Sequence, residues 1–341
     1  MIRSASLILA GAISAGTAVA DEVNIYSYRQ PELIQPLLDG FTDATGIRTN
    51  VAYINKGLIE RLKAEGKRSP ADIILTTDIS RLTGAKEAGV TQTVGSDVLD
   101  AAIPDNLRDP EGHWYALTTR ARIVYASKER VAEGEITTYE DLADPKWKGR
   151  ICTRSGTHVY TLGLIGAMLA HNSVEDTETW LKGVKSNLAR EPEGNDRAQV
   201  KAIWAGVCDI SLGNTYYMGA MLKDPEQTEW ANSVRLEFPT FADGSGTHVN
   251  VSGVALTSSA PNREAAVAFL EYLTSPDAQA IYAAEVSEYP ARPDATISAQ
   301  VDSWGQFNPD TTSLAKIAAN RAEALKLSER VDFDGASGSD G

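Results

Sequence analysis

A chain of 341 residues with 46 acidic and 32 basic side chains carries a formal net charge of −14. That balance argues against nucleic acid, which needs a basic stripe, and against anionic membrane surfaces, while a cationic ligand stays open. Chains of this length usually divide into two domains.

Residues 1–20 read as a secretory signal peptide. Arg3 supplies a short positive region, Leu7 to Val19 is small and apolar, and Ala18-Val19-Ala20 fits the small-x-small cleavage rule. The mature chain then begins at Asp21, and losing Arg3 alone takes its charge to −15. Retention as a signal anchor is the rival reading, but no stop-transfer pattern follows. No later segment reaches the about 18 apolar residues of a membrane span. The expectation is an exported, soluble monomer with no membrane span in the mature chain.

From there strand and helix patterns alternate. Val23 to Tyr28 reads as a strand, and Glu32 to Ala44 as a helix with Leu33, Leu37, Leu38 and Phe41 on one face, stopped at Thr45-Gly46. Ile47 to Ile54 is a second strand, Leu58 to Glu65 a helix, Ala71 to Thr76 a third strand and Ser80 to Ala88 a third helix. Such alternation predicts a parallel sheet with helices on both faces. Two longer β-rich segments, Trp114 to Ser127 and Thr247 to Ser258, interrupt the rhythm. Between them lie a strand near Ile151, helices over Leu162–Ala170, Val174–Ser186 and Ala198–Ala205, and a strand from Cys208 to Leu212. A further helix spans Arg263 to Thr274.

The pattern predicts two doubly wound α/β lobes, with the chain crossing at the two long β segments. The first lobe takes residues 21–119 and 250–290, the second residues 120–249 and 291–331. The Gly/Ser/Asp-rich residues 332–341 read as a disordered tail.

Cys152 and Cys208 are the only cysteines. In an oxidising compartment an even pair reads as one disulfide. The alternative is two buried free thiols.

The candidate chemistry is phenolic. Tyr216 and Tyr217 follow a Gly213-Asn214 turn signal, where a change of backbone direction would let adjacent side chains face one point. Phenolate is a hard oxygen donor, suited to a hard, highly charged cation such as Fe(III). The bland alternative is an aromatic pair packing at a strand end. Tyr160 follows the polar loop Arg154-Ser155-Gly156-Thr157-His158, with His158 as a competing ligand. Tyr26 and Tyr28 share a face at the end of the first strand, and Tyr28 is the better ligand candidate. Arg120 and Arg122 also share a face, and either suits a carboxylate or carbonate bidentately, or a salt bridge across the crossing. The four histidines lack metal-binding spacing, and no GxSxG elbow, P-loop or dinucleotide fingerprint occurs.

Several stretches together carry a likeness. They are Asn24-Ile25-Tyr26-Ser27, Arg120-Ala121-Arg122, Tyr139 through Gly149 (YEDLADPKWKG), Arg190 through Asp196 (REPEGND), Asn214-Thr215-Tyr216-Tyr217-Met218-Gly219 and Gly246 through Gly253 (GTHVNVSG). With them the chain resembles the periplasmic ferric-ion-binding proteins of bacterial ABC importers, the Fbp/Fut type. The resemblance implies a type II periplasmic binding protein fold, two α/β lobes on a two-stranded hinge that close on Fe(III), and delivery to an inner-membrane ABC permease. It implies Tyr160, Tyr216 and Tyr217 as ligands. It also implies an arginine, Arg120 or Arg122, near a carbonate or other small synergistic anion. Many relatives carry His-Tyr after the first strand, where this chain has Gln30-Pro31. Tyr28 is then the substitute first-lobe ligand, or the anion and water complete the shell. Two rival readings share the residues: the same fold holding another small solute (an anion, polyamine or thiamine-like cation), and an exported metalloenzyme. No nucleophile–base pair supports the second.

Overall fold

The computed structural model describes residues 22–335. The signal-peptide reading and residues 336–341 lie outside them. The first lobe begins with β1 (Glu22–Ser27), α1 (Gln35–Thr45), β2 (Arg48–Tyr53), α2 (Leu58–Glu65), β3 (Ile73–Thr76), α3 (Ile79–Glu87) and α4 (Asp97–Ala102). β1 pairs in parallel with β2 on one side and β3 on the other. Gly46 closes α1 with φ of 75°, which suits a residue without Cβ. The Asp78 carboxylate caps α3 by accepting from Ser80 N at 2.8 Å.

β4 (Tyr115–Ser127) is buried along all its length and belongs to two sheets. Tyr115 to Ala121 pairs antiparallel with β8 (Val249–Leu256) in the first sheet. Arg122 to Ser127 pairs antiparallel with β6 (Ile210–Asn214) and β7 (Val234–Glu237) in the second. The switch falls between Ala121 and Arg122. Because β3, β8 and β4 are antiparallel neighbours, both sheets are mixed and not purely parallel as the alternation suggested. The crossing strands must run in opposite directions to carry the chain out and back.

The second lobe adds β5 (Ile151–Cys152), α5 (Val159–His171), α6 (Val174–Ser186), α7 (Asp196–Trp204), α8 (Tyr216–Leu222) and α9 (Thr228–Ser233). After β8, α10 (Arg263–Leu273) and α11 (Pro276–Val286) return to the first lobe, and β9 (Tyr289–Pro290) pairs with β4. α12 (Ala299–Asp302), α13 (Leu314–Ala319) and α14 (Arg321–Arg330) close the chain, the last two against α5. No helix of the described residues is long and apolar enough to cross a membrane.

Three expectations change. Cys208 lies in the turn before β6 and not within a strand. Gly213-Asn214 is no turn: the strand runs through both, pairing with Ile123 and Arg122. Glycine is needed at 213 because the Tyr125 ring fills the space, and a Cβ would stand 2.2 Å from Tyr125 Cε2. The beginning of the tail is held: Phe333 is buried and Asp334 bonds to the Ser155-Gly156 loop.

Cys152 and Cys208 form a disulfide. It lies in a small apolar cluster with Tyr125, Val200, Ile203, Met218 and Met221, under α8. It closes a loop of sequence separation 56. Loop-closure entropy for a span of that size is worth about 4 kcal/mol. A Cys152→Ala, Cys208→Ala variant is therefore expected to lose about that much in urea unfolding; an unchanged midpoint would contradict it.

Candidate metal centre

β6 and β4 aim the tyrosine pair. Tyr125 Oη donates to Asn214 O at 2.7 Å, and Asn214 N donates to Asp196 Oδ2 at 3.0 Å. Thr215 is tied to β4 twice, through its N to Ala121 O (3.1 Å) and through its Oγ1, which accepts from Ala121 N (3.3 Å). The chain turns there into α8, so Tyr216 and Tyr217 open a helix. Their ring centroids are 4.2 Å apart. Tyr160, on the first turn of α5, comes in from the other side: Tyr216 Oη donates to Tyr160 Oη at 3.1 Å. Residues 56 apart in sequence thus bring two phenol oxygens to hydrogen-bond distance, with the third ring beside them.

Burial is the main reason the Tyr216 phenol sits well above its ordinary value, with the neighbouring Tyr160 and Tyr217 adding to it and Arg120 opposing. Tyr217 is raised by burial and by the Asp196 charge. His158 is pushed down to about 4, by burial first and then by Arg154. Its Nδ1 accepts from Tyr160 N at 3.1 Å, so this histidine caps α5. Among the described residues no group of three or more His, Cys, Asp or Glu is arranged to hold a metal.

The two arginines of the crossing strand part company. Arg122 Nη1 donates to Asp196 Oδ2 at 2.9 Å and to Asn214 Oδ1 at 3.2 Å. Arg154 Nη1 donates to the other Asp196 oxygen at 2.9 Å. Asp196, fully buried at the start of α7, therefore binds two guanidinium groups beneath the tyrosines. Asp196→Ala leaves both without their counter-charge and is expected to cost roughly 3–5 kcal/mol. Urea unfolding of the iron-free protein checks it, and a loss below about 1 kcal/mol, the level of an exposed pair, would count against the network.

Arg120 is 1% exposed and donates from Nη2 to Thr77 O, with Asp78 Oδ2 at 3.6 Å. Its guanidinium carbon stands 5.7 Å from the Tyr160 ring centre. Its Nε and Nη1 find no partner among the described residues. Burial works against its charge, but Glu288, Tyr160, Asp78 and Tyr216 hold it protonated.

Tyr28 is not brought to the cluster. Its ring lies under Arg81, whose guanidinium carbon is 4.3 Å from the ring centre, near the start of α2. Burial raises its phenol. Gln30 is exposed and precedes a short 3-10 turn, with no side-chain cap bond there. Arg29, between them, carries no donor atom for a metal and is not among the expected site residues. Arg29 Nη2 donates to Ser252 Oγ at 2.7 Å and Nε to Tyr282 Oη at 3.1 Å, with Glu288 at 3.5 Å. Burial opposes its charge, yet Tyr282, Glu288 and Tyr216 together keep it firmly protonated. The first lobe thus faces Tyr216 with a guanidinium. Strand position was the available signal: Arg29 stands two residues past the end of β1, where clefts of α/β sheets form.

The family model for bacterial extracellular solute-binding proteins matches residues 68–309. Iron uptake protein A1 of Synechocystis is 45% identical over 90% of this chain and 86% of its own length. The major ferric iron-binding protein of Neisseria meningitidis serogroup B is 29% identical over 95% of this chain and 94% of its own. The Mannheimia haemolytica ferric iron-binding protein A, solved in an open conformation, superposes with a TM-score of 0.90 at 47% identity, covering 93% of this chain and 100% of that one. A Trichodesmium protein solved with iron and citrate ligands gives 0.88 at 42% identity, covering 92% and 99%. These are type II folds of iron-binding transport proteins, not enzymes. On this sequence and fold evidence the chain belongs to the bacterial extracellular solute-binding protein family.

Proposed function

We propose that this protein captures ferric ion between its two lobes through the phenolates of Tyr160, Tyr216 and Tyr217 and delivers it to an inner-membrane ABC permease. It does so as a periplasmic monomer, after removal of residues 1–20. The observation that carries the reading is the 3.1 Å approach of Tyr216 Oη to Tyr160 Oη with Tyr217 alongside, where among the described residues no carboxylate or imidazole cluster competes. Three phenolates cancel the charge of a ferric ion. Around them stand Arg29, Arg120, Arg122 and Arg154 against Asp78, Asp196 and Glu288. One positive charge is left over, which a small monovalent anion such as bicarbonate would neutralise. Arg120 has free donors for it at Nε and Nη1, and among the described residues Arg122 (Nε, Nη2) and Arg154 (Nε) also hold unpaired donors. The citrate bound with iron in the Trichodesmium relative supports an anion in this role more than Tyr28, which points elsewhere here.

The residues divide the work. The tyrosines give up their protons as they ligate, Arg120 and Arg29 hold the negative charge that develops, and β4 and β8 let the lobes close. Titrating the iron-free mature protein with a ferric chelate in bicarbonate should produce a visible phenolate-to-iron charge-transfer band with a one-to-one endpoint. A protein that stays colourless at saturation would overturn the reading.

A further inference from the structure

The loop that starts α5 is held from outside by the last described turn of the chain. Past α14 the backbone folds back, with Phe333 N donating to Ser328 O at 3.0 Å and Lys185 Nζ to Val331 O at 3.0 Å. Phe333 is 2% exposed. Asp334 then reaches the loop with both oxygens: Oδ1 accepts from Gly156 N and Oδ2 from Ser155 Oγ, each at 2.5 Å. Gly156 leaves no room for a larger residue, since a Cβ would stand 2.5 Å from Ser328 Oγ and 2.6 Å from Phe333 Cδ1. The bonds continue inward. Ser155 O accepts from His158 N at 3.2 Å, Ser155 Oγ accepts from Thr157 N at 3.2 Å, and His158 Nδ1 accepts from Tyr160 N at 3.1 Å. An unbroken series joins the tail carboxylate to the backbone of Tyr160.

We propose that Asp334, seated by Phe333, is a positioning residue for Tyr160: it fixes the Ser155–His158 loop so that the Tyr160 phenol meets Tyr216 before the cargo arrives. The proposal rests on the reading of this cluster as a ferric site. It assigns a task to a segment whose composition looks like a disordered end. Metal ligands depend on such outer partners, whose loss typically weakens binding about 10–100-fold.

The test compares the mature protein with Asp334→Ala and, striking the same junction from the other side, Gly156→Ala. Amide hydrogen exchange over residues 155–160 is measured without iron, and ferric affinity by competition with citrate while following the charge-transfer band. Faster exchange there together with affinity at least about tenfold weaker is the expected result. Exchange at the parent rate in both variants overturns the contact, and a loosened loop with unchanged affinity and band overturns the positioning role. If the parent protein gives no charge-transfer band, the ferric reading fails and the positioning role with it, while the exchange rates still decide whether the tail holds the loop.

Discussion

Tyr216→Phe is expected to weaken ferric binding by about three orders of magnitude, well beyond the about 10–100-fold typical of an outer partner. The substitution keeps the ring that packs on Tyr217 and removes only the oxygen that meets Tyr160. It takes away one ligating charge and leaves the ferric ion a net positive charge beside Arg120, which is already buried. The iron-free variant should fold as the parent does, because the ring keeps its shape and Tyr160, which loses that hydrogen bond, is partly exposed and can bond to water instead. Tyr217→Phe and Tyr160→Phe should follow it in affinity, each with a weaker or shifted charge-transfer band. Tyr28→Phe should stay within about threefold of the parent, since its ring lies under Arg81 and away from the cluster. Competition titration against citrate ranks the four. A Tyr28 variant that loses as much as the Tyr216 variant would mean that the first lobe contributes a phenolate after all.

Ferric affinity is expected to fall steeply with acidification, by up to about a thousandfold per pH unit at fixed ferric activity, because three phenols each release a proton on ligation. The sign follows from the direction of the shifts. Burial raises the Tyr216 and Tyr217 phenols, so both are protonated throughout the neutral and acidic range in the iron-free protein. Every downward step in pH then strengthens the proton's competition with iron. Binding measured from pH 8 to 5.5 against a chelator of known protonation checks this, and Tyr216→Phe should lower the slope by about one proton. A flat profile would exclude phenolate ligation.

Much of the architecture was legible because it rests on periodicity. α2 and α6 occupy the residues that their apolar spacing and flanking signals indicate, and the long β segments at Trp114 and Thr247 stand where the chain crosses between lobes. Tertiary contacts decided the rest. Gly213-Asn214 has the composition of a turn, but Tyr125 occupies the space of the missing Cβ and keeps the strand straight. Strand alternation puts Tyr26 and Tyr28 on one face, yet where a strand-end side chain goes after the last ladder bond depends on what it packs against, here Arg81. Arg120 and Arg122 are alike in sequence. Only the position of Asp196, which takes up Arg122, distinguishes them. That Tyr160 and Tyr216 share a site is implied by the family resemblance and not by their spacing. Spacing alone does not bring side chains 56 residues apart together.

One strand serving two sheets has an evolutionary consequence. Adding a residue between Ala121 and Arg122 would turn every later β4 side chain to the opposite face, since strand side chains alternate. Arg122 would leave Asp196 and Tyr125 would leave its niche at Gly213, although neither lobe had been touched internally. The distance along the chain from Arg120 to Arg122 is therefore a quantity that insertions and deletions cannot explore, and length variation among descendants of this gene should collect in the surface loops instead.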